Sequence, residues 1–376
     1  MRFSFTEEQA LFRDIVRRFV TEQSPSSEVR KTMATDAGYK PALWQQLCDS
    51  VGLHALHIPE EYGGQGFGAV EMCIAMEELG RGLVCSPLFG SSVLAGTAIL
   101  EAGLTADRER WLPPLASGES RYALAVDEGG GCWDAESVKM QYTEREGSYS
   151  LSGRKTYVVD GCSADVIVVA ARAPQTHGLD GISFFMVDAG ASGVNRRLLN
   201  TIDETRKLGE LEFDCASAAL VGVPGQGGVA LERTMDLCRM YLANEMVGGA
   251  QRLLEDAVAY AATRVQFGRT IGSFQAIKHK CADLLLNVEL AKSAAYCAAE
   301  AAVADDAEFP AIAALSKAVA ADTFVKAAAQ SIQIHGGIGF TWENDTHLYF
   351  KRAKSSEALF GQSAWHRERM LQGLRI

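Results

Sequence analysis

A run of short β-branched and aromatic segments lies between two long helical stretches, and this order limits the folds open to the chain. Residues 6 to about 120 read as helices. The stretch TEEQALFRDIVRRFV opens with Thr6 and places Glu7 and Glu8 in the first turn, where they favour the positive end of a helix dipole. Leu11, Phe12, Ile15, Val16 and Phe19 then recur at helical spacing. PALWQQLCDSVGL is a second amphipathic segment. IPEEYGGQGFG is a turn-rich break, and AVEMCIAMEELGRG is helical again, closed by glycine. From about 121 the texture changes to YALAVDE, VKMQYTE, SYSLSGRKTYVV, ADVIVVAAR and GISFFMVD, separated by turns rich in Gly, Asp and Ser. That block ends near Val223, and GVPGQG connects it to alanine-rich helices running to the C-terminus. The expectation is a mainly α protein with a central antiparallel β domain, divided at 1–120, 121–225 and 226–376.

The chain has 376 residues, 48% of them hydrophobic and 22% charged, which is globular composition with room for two or three packed units. A formal net charge of −11 argues against binding nucleic acid or an anionic membrane surface, while leaving a local Arg or Lys free to meet a phosphate. The nine cysteines are scattered, odd in number and never in a C-x-x-C pair, so neither a disulfide framework nor a thiolate metal site is expected. MRFSFTEEQALF has no apolar signal core, and no stretch reaches the length of a membrane span. These features predict a cytoplasmic protein.

Four local patterns narrow the reading. They are IPEEYGGQGFGAVEMCIAMEELGRG (58–82), SLSGRKTYVVDGCSADVIVVAAR (150–172), RVQFGRTIGSFQAIKHKCADL (264–284) and QIHGGIGFTWENDTHLYFKRAK (333–354). Together and in this order they resemble the acyl-CoA dehydrogenase family along nearly the whole chain. The third matches its R-x-x-F-G-…-F-Q segment and the fourth its Q-x-x-G-G-x-G-F segment. The C-terminal KSSEALFGQSAWHRE resembles small or partner subunits of two-component members, of the pimeloyl-CoA or steroid side-chain type. The resemblance implies an N-terminal helical domain, a middle β domain and a C-terminal four-helix bundle. It also implies a homo- or hetero-tetramer holding FAD, an acyl-CoA substrate from fatty acid or steroid side-chain catabolism, and an electron-transfer flavoprotein as redox partner.

The same resemblance assigns residues. Arg264 would pair with the FAD diphosphate through its planar fork of donors, Phe267 would pack on the cofactor, and Gln275 would hydrogen-bond it. From the neighbouring subunit, Gln333 and the backbone at Gly336 and Gly337 would approach the adenosine half, glycine being required where backbone comes close. Around the flavin ring the match loosens. In DEGGGCWDA, next to Val126, Asp127 stands where a threonine is common and Trp133 where a serine falls. Tyr157 replaces a frequent tryptophan, and Val159 replaces a threonine that touches the flavin. Val126, Tyr157 and Val159 are then either flavin-ring contacts, through backbone or stacking, or plain β-core residues. Asp236 and Arg239 fall on positions that contact the CoA portion, or else form an i, i+3 surface ion pair.

The expected reaction removes the α-proton of an acyl thioester with a base while the β-hydrogen leaves as hydride. Most members place a glutamate in a Tyr-Glu-Gly context near the C-terminus. Here Phe360 stands at that position, followed by Gly361, and a phenyl ring accepts no proton. The Phe360 N–H retains the means to hydrogen-bond the thioester carbonyl. The alternative position on the earlier helix is Cys238, which is no base without an activating cation. Glu245, two helical turns on, is either a displaced base or a structural ion pair or tetramer contact. Glu357 is expected to pair with Lys354 three residues away. Four readings remain: a dehydrogenase subunit whose partner supplies the glutamate, a self-sufficient dehydrogenase using Glu245, a flavin monooxygenase of the same fold, and a non-catalytic structural subunit.

Overall fold

The computed structural model describes residues 5–131 and 133–374; Cys132 of the glycine-rich turn lies outside them. Thr6 caps the first helix, α1 (Glu7–Gln23), through a reciprocal box. Its hydroxyl accepts the Gln9 N–H at 3.1 Å while the Gln9 side chain accepts the Thr6 N–H at 3.0 Å. There follow α2 (Ser26–Met33), α3 (Pro41–Gln46), α4 (Ala69–Arg81), α5 (Thr97–Ala102) and α6 (Thr105–Ala116). The sheet strands are β1 (Tyr122–Ala125), β2 (Tyr142–Arg145), β3 (Ser148–Val159), β4 (Val166–Arg172), β5 (Ile182–Asp188), β6 (Val194–Leu198) and β7 (Leu208–Val221). The C-terminal part contains α7 (Gly228–Thr263), a small hairpin of β8 (Val265–Gln266) and β9 (Arg269–Thr270), then α8 (Gln275–Val303), α9 (Phe309–His335), α10 (Thr346–Ala358) and α11 (Ser363–Gly373).

Packing divides the chain into two units. One comprises Met1–Arg30, Ala69–Val84 and Arg239–Ile376; the other comprises Lys31–Gly68 and Cys85–Cys238. The helical residues that precede the sheet are therefore shared between the two.

In the second unit the strands order as β1-β4-β5-β7-β3-β2, with β6 also on β7. The β2–β3 hairpin closes at Glu146 and Gly147, both at positive φ, the conformation that matches strand twist in a two-residue turn. Alternation along the strands buries Leu151, Ile167, Val169, Phe185, Leu211 and Phe213 in one cluster, with Tyr142 and Tyr149 against the Phe185 ring at 4.9 and 5.4 Å. One pairing corrects the antiparallel expectation: β1 runs parallel to β4, Tyr122 opposite Val166. Parallel neighbours need a long crossover, and the β2–β3 hairpin supplies it here.

In the first unit α9 is the central helix, packed against α8, α10 and α11. Its alanines permit that, with Ala313, Ala314, Ala318, Ala321, Ala327 and Ala328 all buried. Helices α4 and α7 meet backbone to backbone. A Cβ on Gly80 would lie 2.0 Å from the Glu245 carbonyl oxygen, and one on Gly248 would lie 1.8 Å from that of Glu77, so neither position admits a side chain. Arg13 and Arg17 of α1 meet Glu77 and Glu78 of α4 at 2.9 and 2.7 Å. Among the described residues no helix is long and apolar enough to cross a membrane.

Candidate functional site

At the end of α7 the chain turns sharply. Arg264 donates its N–H to the Tyr260 carbonyl at 2.8 Å and leaves its guanidinium exposed. The β8–β9 hairpin follows, and its tip, Phe267 and Gly268, lies at positive φ. Phe267 is 90% exposed, an unusual setting for so large an apolar ring. Phe274 stands behind it, with Arg269 stacked at 4.0 Å, and Gln275 opens α8 with its side chain exposed.

Gln333 is exposed on the last turn of α9, and Gly336 and Gly337 follow. A Cβ at either glycine would meet only open space, and Gly336 has φ +66. These glycines answer to a backbone conformation and an uncovered approach, not to crowding within the chain. Within one chain this segment packs beside the end of α7 that carries Arg264. His335 stacks on Tyr260 with ring centres 4.4 Å apart and donates from Nδ1 to the Ser331 carbonyl at 2.8 Å. Ala257, Ala261 and Ile334 close beneath, joined by Ile271 and Ile277. The stacked pair thus sets an exposed guanidinium, whose planar fork suits a phosphate, near an uncovered stretch of glycine backbone.

In the other unit, β3 organises the glycine-rich turn. Lys155 is fully buried; its Nζ donates to the Val126 carbonyl at 2.9 Å and to Glu128 Oε1 at 2.8 Å. That carboxylate also accepts the N–H groups of Lys139 and Met140. Burial pushes the Lys155 ammonium below its usual range, and the Glu128 charge opposes the fall. Thr156 N–H donates to the Asp127 carbonyl, and the Asp127 carboxylate accepts Gly129 N–H at 2.5 Å. Val126 and Val159 are buried, as is Trp133. Tyr157 sits at φ +52 where the β3–β7 register shifts, with its ring 40% exposed.

On α7, Asp236, Cys238 and Arg239 are all buried, which removes the surface ion-pair alternative for Asp236 and Arg239. The Arg239 guanidinium lies 5.1 Å from the Trp365 ring centre. Glu245 is buried and accepts a 2.6 Å hydrogen bond from Arg352 of α10. Lys354 and Glu357 form the anticipated i, i+3 pair.

After α10 the chain makes a left-handed turn, with Phe360 at φ +63 and Gly361 at φ +105. The Phe360 ring is 3% exposed. Gly361 packs on α11 so closely that a Cβ would lie 2.9 Å from Trp365 and 3.3 Å from His366 Nε2. His366 is held far below its ordinary 6.5, to about 2, by burial first and then by the charges of Lys317, Arg239 and Arg369. Lys317 of α9 reaches the same turn, donating to the carbonyls of Glu357 and Gly361.

Four residues of these clusters escape the motif reading: Lys155, Arg352, Lys317 and Tyr260. Lys317 carried a signal, since it is the one charge in the apolar run AIAALSKAVAA. No comparable signal marked Arg352, one of several cations in FKRAK.

Residues 6–119, 123–215 and 225–374 match the family models for the N-terminal, middle and C-terminal domains of acyl-CoA dehydrogenase. The chain belongs to the acyl-CoA dehydrogenase family. It is 37% identical over 355 residues to the acyl-CoA dehydrogenase IpdE2 of Mycobacterium tuberculosis, covering 94% of this chain and 93% of that protein. Its backbone is similar to butyryl-CoA dehydrogenase from Megasphaera elsdenii, with TM-score 0.92, 26% identity and full coverage of both chains. It is also similar to a chain of the ChsE4-ChsE5 complex from Mycobacterium tuberculosis, with TM-score 0.90, 28% identity and coverage of 100% and 99%.

Proposed function

We propose that this chain is an FAD-binding subunit of a heteromeric acyl-CoA dehydrogenase, desaturating the α,β bond of a fatty or steroid-derived acyl-CoA, with the catalytic carboxylate on a partner chain. One observation carries the reading. Phe360 occupies the turn after α10 where the family's glutamate is expected, while the nearest buried alternative, Glu245, is engaged at 2.6 Å by Arg352. A base must come within hydrogen-bond reach of its proton, and a carboxylate held in a buried ion pair is poorly placed to leave it. The heteromeric ChsE4-ChsE5 complex among its structural relatives supports a two-chain assembly.

In this reading Arg264 binds the FAD diphosphate and the backbone at Gly336 and Gly337, with Gln333, receives the adenosine half. Phe267 and Gln275 complete that surface, and a second protomer covers it, which accounts for a ring left 90% exposed in the single chain. Val126, Tyr157 and Val159 border the flavin ring, with the Lys155 network fixing the turn. FAD, when bound, supplies the hydride acceptor, and an electron-transfer flavoprotein withdraws the electrons. Asp236 and Arg239 orient the CoA portion, and the Phe360 N–H faces the thioester, with Gly361 beside it.

The test is expression of this chain alone and together with a second acyl-CoA dehydrogenase chain, with Glu245→Gln in each case. Desaturation only in the two-chain complex, indifferent to Glu245→Gln, is the expected result. Turnover by the single chain that collapses in a Glu245→Gln variant shown by its urea midpoint to remain folded would make Glu245 the base and remove the partner from the mechanism.

A further inference from the structure

We propose that Lys317 is a positioning residue that holds the Phe360 amide toward the substrate's thioester carbonyl. The proposal rests on the reading of the Phe360 N–H as the thioester donor and adds the device that keeps it aimed.

The turn is strained. A phenylalanine at φ +63 adopts a conformation that L residues with large side chains avoid, and such residues persist only where their surroundings over-determine them. Three contacts do so here. The Phe360 ring is locked in the interior. Gly361 lies flat against Trp365 and His366. Lys317 Nζ donates to the Glu357 carbonyl at 3.2 Å and to the Gly361 carbonyl at 3.3 Å, one acceptor on each side of Phe360. Both bonds are long for N–H···O, yet the donor is charged and fully buried.

A lysine with no exposure is a costly thing to keep in an alanine-rich helix interface. As a cap for α10 alone it would need only the Glu357 carbonyl, one of the unsatisfied acceptors at that helix end. Its second bond skips over Phe360 to Gly361, so the ammonium spans the strained residue. Rotation about the Phe360 N–Cα bond is what φ measures, and the same rotation sets where the Leu359–Phe360 peptide plane, and hence the N–H, points. Tethering the Glu357 and Gly361 carbonyls to one ammonium limits how far the segment between them, and with it the Phe360 N–H, can swing. Preorganised donors aimed at a developing oxyanion contribute most when they need no reorganisation. A chain that has no carboxylate at this position still retains the turn, and an amide donor is what the turn retains.

The experiment uses the FAD-loaded complex carrying wild-type Lys317, Lys317→Arg or Lys317→Met, with acetoacetyl-CoA as probe. Its enolate absorbs in the near ultraviolet, so the acidity of the bound probe is read by titration without any catalytic base. Wild-type protein should raise the probe's acidity above that in water. Lys317→Met should lose about tenfold of that acidity, as expected for a misdirected donor, with Lys317→Arg recovering part. Urea midpoints of the same proteins measure the structural cost separately. If Lys317→Met is less stable but keeps wild-type probe acidity, Lys317 is only a helix cap and the proposal is wrong. If wild type itself leaves the acidity as in water, the Phe360 amide is not the thioester donor, and the underlying reading fails before Lys317 is tested. Should Lys317→Met not fold, Lys317→Ala, which also lacks a donor, gives the same comparison, and full wild-type acidity there is equally fatal.

Discussion

The Glu245 carboxylate and the Arg352 guanidinium meet at 2.6 Å with each side chain only 5% exposed, joining α7 to α10. Removing one member of such a pair strands a charge in the interior, which costs about 3–5 kcal/mol. Arg352→Met should therefore lower the urea midpoint sharply. The double variant Glu245→Gln, Arg352→Met should recover much of the loss, since neither side chain then carries a charge. A double variant no better than Arg352→Met would mean that the pair is not the reason for the burial.

Arg264 stands exposed after the last turn of α7, so its truncation costs little stability, within about 0.5 kcal/mol for an exposed site. Arg264→Ala should elute at the same size with an unchanged melting temperature, and with most of its flavin absorbance gone. Unchanged flavin content would remove Arg264 from the cofactor site.

His366 gives the fold an acid sensitivity. Its folded pKa is about 2 against an ordinary 6.5, so below pH 6.5 the unfolded chain takes up a proton that the folded chain refuses. Stability from this group is complete above pH 6.5 and declines as pH falls toward its folded value, by up to about 1.4 kcal/mol per pH unit. His57, lowered to about 4 by burial, adds to the same trend, whereas Glu77, raised by burial, opposes it. Urea unfolding at pH 7, 6 and 5 should show a steep loss, shallower in His366→Gln by up to that slope. An identical slope in the variant would show that His366 is protonated in the folded state.

Placing a carboxylate on the left-handed turn should supply the missing chemistry. Phe360→Glu, loaded with FAD, is expected to exchange the α-hydrogen of a saturated acyl-CoA with deuterium from solvent about 10²-fold or more above wild type, the scale of a positioned general base. Mass spectrometry of the recovered thioester measures it. No gain, with flavin and substrate both bound, would place the acyl group away from this turn.

Much of the fold was legible because it is written locally. Thr6 ahead of Glu7 and Glu8 marks a helix start, short β-branched runs broken by Gly, Asp and Ser mark the strands, and the alanine run of 311–328 marks a helix that others crowd against. The glycines at 336 and 337 and the phenylalanine at 360 were visible as departures or matches within short motifs. What stayed hidden depends on partners far apart in sequence. No pattern links Glu245 to Arg352, Tyr260 to His335, or Lys317 to the carbonyls flanking Phe360, because a side chain's neighbours across a helix interface leave no periodicity. The parallel pairing of β1 with β4 was hidden for the same reason, since alternation reveals a strand but not its direction relative to a neighbour.

The Gly80–Gly248 crossing has a consequence for how the protein is born. It locks a helix made early in synthesis against one made after the entire sheet-bearing unit has emerged. Residues 69–84 must therefore wait, apolar face uncovered, while the inserted unit is translated, and only then find their groove. Pairing across so long an intervening chain is slow, and the waiting surface is what chaperones bind. A ribosome stalled before residue 239 leaves the first unit without most of its mass, so truncated products should fold their sheet yet remain sticky at the N-terminal helices.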